Sequence, residues 1–174
     1  PGRGWAVRGW VAALSILVAL AAQTTLSSVM ARGGTTIDLV LIVVVYIAIK
    51  SGAVTGLLAG TVAGLIQDSL SSGVLGIGGL AKTLVGFLAG MLVTQFIVTA
   101  PLPRFVLLVM ATVLHAAMFM GLYTLLNLRQ FPAPYQLVGA HALGNAFVGV
   151  VAFSLVEWLP GFVDRRRAGR HLKR

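Results

Sequence analysis

Residues 36–68 read TIDLV LIVVVYIAIK SGAVTGLLAG TVAGLIQD, and the division of this stretch decides the fold. Ile37 to Gln67 is one apolar block, interrupted by Asp38 near its start and by Lys50 and Gly52 in its middle. A single helix over this block would be ~46 Å long at 1.5 Å per residue, too long for a hydrocarbon core of ~30 Å. It would also strand Lys50 at mid-membrane, where a charge is costly. A tight hairpin at Lys50–Ser51–Gly52 removes both difficulties. It gives two short helices, 36–49 and 52–67, and lets Lys50 reach the interface.

The rest of the chain agrees with a membrane reading. Of its 174 residues, 58% are hydrophobic and 10% charged, against about 25% charged in a soluble domain. Four further spans are expected at 9–30, 80–100, 105–127 and 135–159, giving a six-span, all-α polytopic bundle with no room for a soluble domain. The first stretch lacks a small-residue cleavage site and is read as a retained span, with Trp5 and Trp10 at an interfacial belt. Residues 68–79 read as a polar, glycine-rich connector; Pro101 and Pro103 end the fourth span, and Pro160 and Gly161 close the sixth. Six spans place ten Lys and Arg in inner segments and three (Arg32, Lys82, Arg129) in outer ones. That asymmetry favours both ends in the cytoplasm of a bacterial cytoplasmic-membrane protein. The tail, 160–174, carries Arg165, Arg166, Arg167, Arg170, Lys173 and Arg174. Such a cluster after a final span fixes topology and binds anionic lipid headgroups at ~1 kcal/mol each, a simpler account than nucleic acid.

A four-residue ladder runs Gly52, Gly56, Gly60, Gly64, Asp68, Ser72, Gly76, and the next span repeats the spacing with Gly86, Gly90 and Thr94. Residues four apart share a helix face, and stacked glycines let backbones approach closely. The third and fourth spans are therefore expected to pack backbone to backbone, with a docking groove for another protein's helix as the functional alternative. Asp68 either caps the turn or pairs with Lys82, or acts as a functional intramembrane acid. Lys82, His115, His141 and Asn145 are candidates for interhelical polar contacts, worth ~0.6 kcal/mol each.

Chemistry finds little support. With no Cys, thiolate metal sites, disulfides and Cys nucleophiles are excluded. There is no HExxH, no GxSxG, no phosphate loop and no paired intramembrane aspartates, so neither an enzyme, nor a metal, nor a cofactor is expected.

The segment from Gly56 through Gly60, Gly64, Asp68, Gly73 and Gly76, followed by Gly86-Phe87-Leu-Ala-Gly90, resembles the rod-shape-determining MreD family. The resemblance implies that Gly56, Gly60, Gly64, Asp68, Gly76, Gly86 and Gly90 form the family fingerprint and shape the bundle. It implies a non-enzymatic scaffold of the cell-elongation (rod) complex. The implied partners are MreC and, through it, RodA, a class B penicillin-binding protein and MreB, with lateral peptidoglycan synthesis as the process organised. The family is also similar in fold to the S-components of energy-coupling-factor vitamin transporters, and such a substrate-binding subunit is the alternative function. Against it, the outer segments offer a sparse polar set, and the first span has Ser15 and Ala19 but no clear Ala-x-x-x-Ala.

Overall fold

The computed structural model describes residues 9–30, 37–71, 74–95, 100–128 and 135–171, with side chains at 9–26, 37–71, 74–95, 100–128 and 136–158. Among these the fold is all-helical: α1 (Gly9–Met30), α2 (Leu39–Ser51), α3 (Ala53–Leu70), α4 (Ile77–Gln95), α5 (Pro101–Leu125) and α6 (Tyr135–His171). Five are long and apolar enough to cross a membrane, and α2 is the short exception at 13 residues.

The shortest helix is the central one. α2 contacts all five others, and Val40, Val44, Val45, Ile47 and Ala48 are wholly shielded. A helix apolar on every side is one buried on every side. Its β-branched run fills the space between two clusters, one with α4, α5 and α6 through Leu41, Val45, Val85, Leu108 and Phe153, the other with α1 and α3 through Val40, Val44, Ile16 and Ala63.

The chain reverses between α2 and α3 at Gly52, whose φ of +86° suits a residue without a Cβ. Its N–H caps α2 on the Ala48 carbonyl at 2.9 Å, and Ala48 then faces Gly56 across the turn. α5 ends with Asn127 in the left-handed region at φ 53°, a common way to terminate a helix.

Three of the boundaries that differ from the sequence expectation bear on the site and the tail. Pro101 opens α5 rather than only ending α4, because a first-turn proline gives up an N–H that has no helical partner. α4 begins at Ile77, so the glycines at 78 and 79 are helical rather than connector. α6 does not stop at Pro160; it runs through it to His171. The residue costs one backbone hydrogen bond, and beyond the apolar window ending at Trp158 water can satisfy the freed carbonyl.

Candidate functional site

The glycine ladder sets the closest approach in the molecule, since α3 packs on α4 more extensively than any other two described helices do. A Cβ on Gly56 would collide with the Gly86 carbonyl, and one on Gly60 with the Lys82 carbonyl. On Gly64 it would lie 2.5 Å from the Gly79 Cα, and on Gly90 2.5 Å from the Ala53 Cα. Thr61 and Thr83 join the two helices through their hydroxyls at 2.8 Å. The seam positions chemistry as well as packing, because it presses Gly60 against the backbone of Lys82.

Lys82 is 3% exposed and its Nζ lies 2.7 Å from Asp38 Oδ2. The same Nζ is 3.1 Å from His115 Nε2 on α5; an ammonium only donates, so Nε2 accepts. Asp38 stands just before α2 and serves as its N-cap, Oδ1 accepting from the Leu41 N–H at 2.9 Å. Its own N–H donates to Asn145 Oδ1 on α6 (2.9 Å), and Asn145 Nδ2 donates to the buried Thr112 hydroxyl on α5 (3.3 Å). Beside it the Leu39 N–H donates to Gln23 Oε1 on α1 at 2.8 Å. One polar chain thus ties α2 to α1, α4, α5 and α6.

The chain's depth follows from helix rise. At ~1.5 Å per residue, Asp38 lies ~18 Å from Lys50, His115 ~17 Å from Arg104, and Asn145 ~18 Å from Glu157. Lys50, Arg104 and Glu157 mark one level, since Arg104 holds Glu157 with two bonds of 2.7 and 3.0 Å and Lys50 reaches Glu157 Oε1 at 2.6 Å. Taking that level as one rim, the Asp38–Lys82 pair sits about halfway across a ~30 Å core. α2 therefore begins inside the bundle. Bare helix N–H groups at that depth would each cost several kcal/mol; side chains of Asp38, Asn145 and Gln23 meet three of them.

Asp68 does not pair with Lys82. Its Oδ2 accepts from the N–H groups of Gly76 and Gly79, both at 2.9 Å, tying the end of α3 to the start of α4. Gly76 adopts φ +99° to present its N–H. Between this link and α5 lies a cavity of about 200 Å³, lined by Asp38, Lys82, His115, Gln67, Asp68 and Tyr123 among others.

Among the candidates, the structure brings Lys82, His115 and Asn145 into one chain, and Gly56, Gly60, Gly64, Gly86 and Gly90 into one seam. His141 lies one turn before Asn145 on α6, half-buried. Lys173 and Arg174 lie outside the described residues, as do the side chains of Arg165, Arg166, Arg167 and Arg170. Lys82 is not an outer-segment charge as its place after a connector suggested; α4 starts earlier and carries it into the core. Sequence reasoning missed Asp38, Thr112, Gln23 and the pairing of Arg104 with Glu157. Asp38 did carry a signal: an Asp immediately before an apolar helical run is an N-cap.

Curated proteins and solved structures give no match to the chain. The family model described as rod shape-determining protein MreD matches residues 6–163 of the 174. That span holds all six helices through Trp158, the glycine seam and the buried ion pair, and the chain therefore belongs to the MreD family.

Proposed function

We propose that this multi-pass membrane protein, whose family gives it a role in rod-shape determination, fills that role as a non-enzymatic scaffold of the cell-elongation complex. It would hold the transmembrane helix of MreC and, through MreC, organise RodA, a class B penicillin-binding protein and MreB for lateral peptidoglycan synthesis.

The observation that carries the reading is that the charges in the core and those at the Arg104 level satisfy one another. Asp38 answers Lys82, and Glu157 answers Arg104 and Lys50. What faces outward is apolar helix surface: Leu14, Leu17 and Val18 on α1; Val106, Met110 and Val113 on α5; Leu143, Phe147 and Val151 on α6. Lipid offers no hydrophobic drive between helices, so a partner helix is held by fit, and a bundle locked by internal ion pairs offers a fixed surface to fit.

The reading includes a topology. Lys50 and Arg104 share the level where α6 leaves the apolar window toward the basic tail. Lys82 belongs to the core, so Arg32 and Arg129 alone remain for outer segments. The imbalance supports cytoplasmic ends, with the tail on anionic headgroups.

Affinity purification from native membranes in mild detergent, with mass spectrometry of proteins and small molecules, tests it. Recovery of MreC, RodA and a penicillin-binding protein is expected. Recovery instead of an ATP-binding-cassette pair and a bound vitamin would assign the bundle to the substrate-binding class.

A further inference from the structure

The cavity beside Lys82 has lining that the scaffold reading does not use. Besides the Tyr123 phenol, its described ionisable groups are two carboxylates, one ammonium and an imidazole: Asp38, Asp68, Lys82 and His115. Lys82 is engaged by Asp38 at 2.7 Å. No described cation stands within ion-pair distance of Asp68. Asp68 gives one oxygen, Oδ2, to two backbone N–H groups, and a carboxylate has about four acceptor positions. Gln67 also lines the space, and its Oε1, shielded from solvent, has no hydrogen-bond partner among the described residues. The terminal amide torsion is soft, so this acceptor turns toward the cavity at little cost. The facing wall, on α5, is aromatic: Phe119 and Tyr123 have ring centroids 4.8 Å apart, and His115 lies 6.1 Å from Phe119.

A surplus carboxylate, an unmet acceptor and aromatic faces together are the chemistry of an organic cation. An anion would meet Asp68 and find Lys82, the one ammonium or guanidinium among the described lining residues, already paired. We propose that this cavity binds a primary ammonium group. The unmet acceptors call for N–H donors, which a quaternary ammonium lacks. The volume of about 200 Å³ is below the ~300 Å³ at which drug-sized sites begin, so the group is as small as an ethanolamine. Tyr123 lies ~28 Å along α5 from Arg104 at 1.5 Å per residue. The cavity thus runs from the middle of the core to the rim opposite the Arg104–Glu157 level, where lipid headgroups lie. The ammonium comes from a phosphatidylethanolamine headgroup or from a free small amine. The proposal stands independently of the scaffold reading, because it concerns the isolated protein.

The test uses the full purified chain in mild detergent. Native mass spectrometry measures occupancy by phosphatidylethanolamine, phosphatidylcholine and phosphatidylglycerol of identical acyl chains. Thermal unfolding is followed with ethylammonium chloride against tetramethylammonium chloride. Phosphatidylethanolamine is expected to bind about tenfold tighter than the other two, a typical worth for one hydrogen bond from its ammonium N–H to a charged acceptor. Asp68→Asn keeps an acceptor for Gly76 and Gly79 but removes the charge, and is expected to abolish the preference. Phe119→Leu, which removes no hydrogen bond or ion pair, is expected to weaken phosphatidylethanolamine binding about threefold or more. Protection by ethylammonium that competes with the lipid identifies a free amine as a source; preference for phosphatidylethanolamine without such protection identifies the headgroup. If Asp68→Asn does not fold, Phe119→Leu decides alone. Equal binding of the three lipids with no ethylammonium protection, a folded Asp68→Asn that retains the wild-type preference, or a folded Phe119→Leu that binds phosphatidylethanolamine as tightly as the wild type, would overturn the proposal.

Discussion

Replacing Lys82 by Met leaves the Asp38 carboxylate at mid-bundle without its cation. Breaking a buried pair from one side costs about 3–5 kcal/mol, so Lys82→Met is expected to lower the melting temperature in detergent by many degrees. An unchanged melting curve would mean that the 2.7 Å pair does not form in the folded protein. At the opposite rim the ranking of two cations is testable. Arg104 is buried and holds Glu157 with two bonds, whereas Lys50 is about a third exposed and holds it with one. Arg104→Ala is therefore expected to destabilise by ~2 kcal/mol or more and Lys50→Ala by less than ~1 kcal/mol; equal losses would contradict the geometry. Little of this pairing was legible beforehand. Asp38 and Lys82 are 44 positions apart, and linear spacing reports only neighbours within one helix. Their meeting depends on where α4 starts, and the sequence placed that start three residues late because Gly78 and Gly79 read as connector. The glycines are helical for a reason spacing cannot show: Asp68 takes the N–H groups that the first turn of α4 leaves bare.

At the scale of elements, the glycines separate into two kinds. Those of the seam face carbonyls and Cα atoms of the neighbouring helix, whereas Gly121, Gly139 and Gly144 have nothing within 4 Å of an added Cβ. Gly60→Ala must push α3 off α4 at Lys82, and a loss of ~2 kcal/mol or more is expected from the overpacking. Gly121→Ala, inside α5, is expected to be neutral or to stabilise by ~0.5–1 kcal/mol, since alanine is the better helix former. Paired thermal or denaturant unfolding of the two variants checks this, and similar outcomes would remove the seam from the account. Here the sequence was more informative. A period of four on one face of two helices is local information, and the close approach it encodes needs no long-range knowledge. The number of helices was readable for the same reason, because apolar runs are counted directly. The extent of α6 was not, because the sequence marks Pro160 as a breaker and gives no measure of what lies on each side of it.

At the scale of the molecule, a short central helix is held by five longer ones, and the polar chain through Asp38 fixes its start in the interior. Such a bundle resists rearrangement, which suits a fixed platform for partner helices. On the proposed function, the protein serves the elongation complex through this fixed shape and not through chemistry at its intramembrane charges. Removing both members of a buried ion pair is often nearly neutral, whereas removing one is not. The double variant Asp38→Asn with Lys82→Met keeps the α2 cap acceptor and the side-chain volume while deleting both charges. The most direct test is rescue of rod shape by this variant in cells depleted of the native protein, at matched membrane levels and with a melting temperature near that of the wild type. Rod-shaped cells are expected. Round cells carrying a folded, correctly inserted double variant would show that the charges themselves do work, and would contradict the proposed function.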